Sequence, residues 1–239
     1  MSEFALPDRR TFARLYARFQ APIAAFDCGS KCAPYNENHQ PFCCDTRHMV
    51  PSAYTAEWEH LQASTDLWHP WEADEPEETA RLQAETPPGQ VLIACQGHTR
   101  CQRGHRSLAC RSFPFSPYID GGGEFTGLSY YWEYEDRCWV ANNLQVVTPE
   151  FRLQFCAAYD ELFQLMPAEY ENFRLHSQEM RRVFASRRRA IPLIHRDGGI
   201  YKLSPTTGRM RRTKPESLPK FGPYRIAALL PFPDEMVDR

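Results

Sequence analysis

The feature that most constrains how this chain can fold is a grouping of thiols in stretches too polar to make a core. Residues 95–114 carry Cys-x5-Cys-x8-Cys-Arg-Ser-Phe-Pro on Cys95, Cys101 and Cys110, with Cys28, Cys32, the Cys43–Cys44 pair and Cys138 around them. The segment between Cys95 and Cys110 holds Gly97, Gly104 and many polar residues, so it can wrap an ion but has little apolar surface to bury. Residues 27–51 also lack a sustained period; Gly29, Pro34, Asn36, Asn38 and Pro41 among the thiols read as irregular loop. A loop of that length needs something to organise it. Thiolates are soft ligands for zinc, copper(I) and iron–sulfur clusters, and the pattern points first to metal.

Disulfides are the competing use of nine cysteines. The count is odd, the first ten residues contain no apolar export segment, and 239 residues far exceeds the ~80 at which small secreted domains depend on disulfides. No stretch approaches the ~18 apolar residues of a membrane span. The expectation is therefore a cytoplasmic chain with reduced, metal-bound thiols and no membrane partner.

Periodicity supplies the rest of the scaffold. Residues 8–19 place Phe12, Leu15, Tyr16 and Phe19 at helical spacing, and 53–62 and 77–85 read as further helices, separated by a turn at 68–71 and an acidic run. A short strand over 90–94 delivers Cys95, and an aromatic strand over 125–135 ends near Cys138. Gly121-Gly122-Gly123 is the expected turn between them, bringing Cys95 and Cys138 together by strand ends. From Pro149 the chain turns helical, over 150–166 and 169–189, and 191–195 with 200–204 reads as a hairpin closed by Asp197-Gly198-Gly199. The predicted class is α+β. Residues 1–148 form an irregular, metal-organised cysteine region with short strands, and residues 149–239 form a helical and hairpin part packed with it as one domain.

The cysteines divide by context. Cys28 and Cys32 stand four apart, a spacing that can put both sulfurs on one metal, whereas neighbours such as Cys43 and Cys44 diverge and hint at more than one ion. The candidate ligands are Cys28, Cys32, Cys43, Cys44, Cys95, Cys101, Cys110 and Cys138. Cys156 lies among helical apolar residues and is read as a small buried hydrophobe. His39, His48, His98 and His105 are left open as ligands or as groups that orient one.

Cys110-Arg111-Ser112-Phe113-Pro114, separated from Cys101 by eight residues and preceded by the upstream Cys…Cys-Cys cluster, resembles the cysteine-cluster family described as a zinc- or iron-chelating domain, to which the flagellin lysine N-methylase is related. The resemblance covers roughly residues 28–138, with Cys138 in the place of the family's late cysteine. The chain departs from the family in the ten residues between Cys32 and Cys43 and in Arg106-Ser107, where an Arg-Pro is common. The resemblance implies a chelated zinc or iron, the iron as an ion or in an iron–sulfur cluster, and, through the methylase, a protein-modifying activity. Arg111, directly after Cys110, is the candidate cofactor-binding residue, placed to neutralise thiolates or to hydrogen-bond sulfur, with Arg106 assisting. Phe113-Pro114-Phe115 and Pro117-Tyr118 read equally as an apolar wall over the site or as plain core.

Residues 174–220 carry 13 lysines and arginines against three acids, a local +10 in a chain of net −2. That face is expected to complement the acidic run at 72–78 and the thiolates, or to be solvated, rather than to bind nucleic acid, for which no standard motif is present. Nucleotide-binding glycine motifs, His-Glu-x-x-His, Gly-x-Ser-x-Gly and the radical-SAM Cys-x3-Cys-x2-Cys are all absent. What remains is a metal-binding protein with a possible protein partner. The alternatives are a lysine N-methylase-like enzyme and a basic adaptor with a structural metal.

Overall fold

A computed structural model describes residues 7–227; the outermost parts of both expected regions, 1–6 and 228–239, lie outside the described residues. Helix α1 (Arg9–Arg18) begins where its spacing predicts. Asp8 caps it, accepting from the Thr11 amide at 2.8 Å while Thr11 returns the bond to the Asp8 amide. Helix α2 is one turn, Gly29–Cys32.

Strand β1 (Ser52–Tyr54) runs into α3 (Thr55–Ser64), followed by β2 (Trp68–Pro70), α4 (Pro76–Glu85) and β3 (Gln90–Cys95). These strands form an antiparallel sheet of order β1-β3-β2. Two sequence expectations change here. Residues 68–70 form an edge strand, with Trp68 opposite Cys95, and the edge is where a proline without an N–H is tolerated. The helix expected from residue 53 starts at Thr55, because Ala53 pairs with Val91 in the sheet.

Helix α5 (Leu108–Ser112) precedes β4 (Phe115–Ile119) and β5 (Phe125–Tyr130); β6 (Ile191–His195), β7 (Ile200–Leu203) and β8 (Met210–Arg212) complete a five-stranded antiparallel sheet in that order. The predicted hairpin is β6–β7. Strand β4 went unpredicted because every one of its residues is buried and none alternates with solvent. The aromatic strand stops at Tyr130, and a 3-10 turn over Trp132–Tyr134 leads on to Cys138. Gly121–Gly123 therefore closes β4 onto β5 and does not link the strand of Cys95 to Cys138, which lies in no strand. Gly127 is needed where β5 meets β6, since a Cβ there would fall 2.2 Å from the Ile194 carbonyl oxygen.

Helices α6 (Pro149–Leu165) and α7 (Pro167–Ser186) cover the larger sheet. The Ser177 hydroxyl of α7 accepts from the Ile119 amide at 2.9 Å, and Arg181 donates to the Ile119 carbonyl at 2.8 Å. The main core joins Phe12 and Phe19, Ile93, Phe115 and Leu128, and Phe151 and Phe155, so one apolar interior spans both sequence regions. Phe115 belongs to that interior, and Tyr118 to a second cluster with Trp132, Met180, Phe184 and Ile191. Together these elements make an α+β fold with long irregular stretches.

Five of the thirteen cations in the basic segment are ion-paired close by. Arg187 and Arg189 pair with Glu135, Arg196 with Asp160, Arg174 with Glu171 and Arg182 with Glu179. The acidic run reaches Arg81 through Glu78 at 3.8 Å, and among the described residues no ion pair joins it to the basic segment.

His176 on α7 stacks on Trp132 with centroids 4.9 Å apart, and its Nε2 is buried without a partner among the described residues. Burial pulls its pKa from 6.5 to about 4. The unfolded chain thus takes up this proton before the folded one does, so stability is complete above pH ~6.5 and declines toward pH 4 by up to about 3 kcal/mol. Urea unfolding across that range is expected to show this slope, and His176→Phe to remove it; parallel curves for the two proteins would refute the assignment.

Candidate metal centre

Three segments deliver the thiols. In the first, Cys28 precedes α2 and Cys32 ends it, with the Asp27 carboxylate accepting from the Gly29 amide at 3.0 Å, and Cys43 and Cys44 end a 3-10 turn over Phe42–Cys44. That loop is set by Asp45, only 3% exposed. Its carboxylate accepts from the Arg47 guanidinium at 2.8 Å and from the Asn36 and Asn38 amides, each at 3.0 Å. These bonds, the Arg47 pair foremost, hold the Asp45 carboxyl well below the usual carboxylate range. His48 is turned to this network, its Nε2 3.3 Å from Asn36 Oδ1, and His39 is exposed.

The second segment runs from Cys95, at the end of β3, through Cys101 to Cys110 in α5. Its backbone is held by its carbonyls. Arg111 donates through Nη2 to Gly104 at 2.7 Å and through Nε to Arg106 at 2.8 Å, and the Trp68 indole donates to His105 between them at 2.7 Å. Arg111 Nη1 also reaches the Phe19 carbonyl at the end of α1, and the guanidinium lies 4.1 Å from the Tyr16 ring centre. Ser107 caps α5, its hydroxyl accepting from the Cys110 amide at 3.2 Å.

Beneath lies a buried carboxylate that no sequence pattern singles out. Glu57, 1% exposed, accepts from the Tyr16 hydroxyl and the Leu108 amide, both at 2.5 Å, and from the Tyr54 amide at 3.2 Å. Burial raises its pKa, while these donors and nearby Arg111 oppose the rise. Tyr16, Glu57 and Leu108 come from α1, α3 and α5, and the network locks the helix carrying Cys110 to the other two.

The third segment brings Cys138 in from the turns after β5, its amide bonded to the Tyr134 carbonyl at 2.8 Å.

The eight candidate thiols line two adjoining cavities. The larger, about 330 Å3, is bordered by Cys28, Cys43, Cys44, Cys95, Cys101 and Cys110, together with His98, His105, Arg100, Arg103, Arg106, Phe26 and Trp68. The smaller, about 30 Å3, is bordered by Cys28, Cys32, Cys43 and Cys138 with Phe42, Phe113, Pro114 and Trp139. Of the expected aromatic wall, Phe113 faces both cavities and Pro114 the smaller one, while Phe115 and Tyr118 serve the cores. Among the described residues no group of three or more histidine, cysteine or acidic side chains is arranged to hold a metal ion. Cys156 sits apart on α6, buried in the main core.

Arg106, rather than Arg111, is the arginine that reaches sulfur, its Nε 3.1 Å from Cys101 Sγ. The guanidinium of Arg111 is spent on carbonyls and on the Tyr16 ring. No spacing rule could have told these two apart, because the choice depends on which carbonyls the loop presents.

Burial pushes the thiols of Cys110 and Cys138 up to about 12 and that of Cys32 to about 11, and it raises Cys28 and Cys95. Cys43 is raised first by the hydrogen bond it shares with Cys44 and then by burial. That bond, with Arg106 nearby, lowers Cys44. As ligands of a metal these thiols bind as thiolates, so loading displaces their protons.

No family model, curated protein or solved structure matches the chain.

Arg111→Lys keeps the charge but lacks the fork that spans two carbonyls. It is expected to cost about 2 kcal/mol through unpaired buried acceptors, and to speed labelling of Cys101 and Cys110 by a thiol reagent while leaving Cys156 as slow as before. Unchanged labelling would show that Arg111 does not hold the cysteine loop.

Proposed function

We propose that this chain is a metal-binding protein that holds zinc or iron, the latter as single ions or an iron–sulfur centre, through Cys28, Cys32, Cys43, Cys44, Cys95, Cys101, Cys110 and Cys138. One observation carries the reading: eight free cysteines from three distant segments border two adjoining cavities, and the ninth is a core residue. A thiol-only donor set fits soft or borderline metals. The loops that bear the thiols have little apolar packing of their own, and a bound metal would cross-link them, so binding energy there is folding energy. A reducing, cytoplasmic setting would keep the thiols available.

The larger cavity supports a second reading, that the metal acts on a bound molecule as a Lewis-acidic or redox centre. Its 330 Å3 exceeds what an ion occupies and falls in the size range of small-molecule sites, with Phe26 and Trp68 as apolar walls and Arg100, Arg103 and Arg106 as cations. A protein-modifying enzyme, lysine N-methylase-like as the resemblance implies, is the activity in view. The adaptor reading is weaker, since five arginines of the basic segment are already ion-paired. Among the described residues no helix is long and apolar enough to cross a membrane.

Protein purified without oxygen is expected to carry near-integer zinc or iron by elemental analysis, with brown colour and charge-transfer absorption if the centre is iron–sulfur. Fully folded, metal-free protein that holds several native disulfides would end the proposal. Cys110→Ser is expected to lose metal and thermal stability, whereas Cys156→Ser keeps its metal and loses only core packing, about 1 kcal/mol. Metal loss from the Cys156 variant equal to that from the Cys110 variant would show that the ligand set is wrong.

A further inference from the structure

The eight thiols are not equivalent: six border the larger cavity and four the smaller, with Cys28 and Cys43 at the boundary between the two. Cys28, Cys32, Cys43 and Cys138 are the four that border the smaller cavity; Cys44, Cys95, Cys101 and Cys110 border the larger one and not the smaller. The Cys43–Cys44 pair straddles the division, so one tight turn contributes one thiol to each set.

We infer that the chain holds two separate four-thiolate metal centres, an inner structural one on Cys28, Cys32, Cys43 and Cys138 and an outer accessible one on Cys44, Cys95, Cys101 and Cys110. This deepens the metal-binding reading and rests on it.

Volume, lining and charge distinguish the two. The inner cavity, at about 30 Å3 and walled by Phe42, Phe113, Pro114 and Trp139, has room for an ion and no further ligand. A closed shell with no open position is the arrangement of a structural site. The outer cavity is about 330 Å3, and Cys101 at its edge is exposed. Four thiolates around a divalent ion carry a net charge of about −2, which is costly near apolar walls unless cations answer it. Arg100, Arg103 and Arg106 all line the outer cavity and none lines the inner one, where Arg137 is the arginine present. The outer centre is thus open to solvent and to metal exchange, and the inner one holds α2 against the turns that carry Cys138.

Full-length protein, stripped of metal and reloaded anaerobically with 113Cd2+, tests this by NMR. Two cadmium resonances of equal intensity in the all-thiolate range are expected, and a limiting amount of EDTA should abolish one at least tenfold faster than the other. Cys101→Ser, a change at an exposed position, should shift or remove the fast signal and leave the slow one unmoved. A single resonance at one equivalent, two resonances lost together, or both displaced by Cys101→Ser would overturn the division while leaving metal binding intact. Folded protein that takes up no cadmium would overturn both.

Discussion

The structure depends on a carboxylate in the core. Glu57 is buried in an interior that is otherwise aromatic and aliphatic, and removing such a group from water costs several kcal/mol unless its oxygens are answered. Three donors and a neighbouring guanidinium answer it, and they come from α1, from the strand before α3 and from α5. Because the penalty for leaving any of them unpaired is large, the relative placement of these elements is fixed more tightly than apolar packing alone requires. Arg111 extends that constraint outward, with the Tyr16 ring on one side and three backbone carbonyls on its donors.

The thiols are consequently positioned from two directions. On one side the Glu57 and Arg111 network sets α5 and the 104–106 backbone, hence Cys101 and Cys110; on the other, Asp45 with Arg47, Asn36 and Asn38 sets the loop of Cys43 and Cys44. Both are polar frameworks at the edge of a conventional core. The five-stranded sheet with α6 and α7 supplies that core, and Cys138 arrives from it through a run of short turns.

The elements legible in the sequence are those marked by an amphipathic period or by a turn signal. Helix α1 is clear because Phe12, Leu15 and Tyr16 alternate with exposed arginines, and β6–β7 because Asp197-Gly198-Gly199 closes a short apolar pair. Strand β4 is buried throughout and begins after a proline, so no period marks it; β2 contains a proline that only an edge position explains. The list of candidate thiols was readable from their loop context, as was the separate fate of Cys156. Which of them border the smaller cavity was not, since that depends on Cys138 lying near Cys32 across more than a hundred residues of chain. Separation along the chain also hid Glu57, whose partners Tyr16 and Leu108 lie 41 and 51 residues away.

The grip on residues 104–106 has a consequence for how this sequence can drift. Arg111 and Trp68 hold carbonyl oxygens, which every amino acid supplies, so they recognise the path of the chain and not its side chains. Substitutions at Gly104 and His105 that respect the backbone therefore leave this scaffold undisturbed, whereas replacing Arg111 or Trp68 removes support from the whole loop at once. Variation in the lining of the larger cavity is thereby uncoupled from the integrity of the loop that forms it, the condition under which a binding site can be retuned one residue at a time.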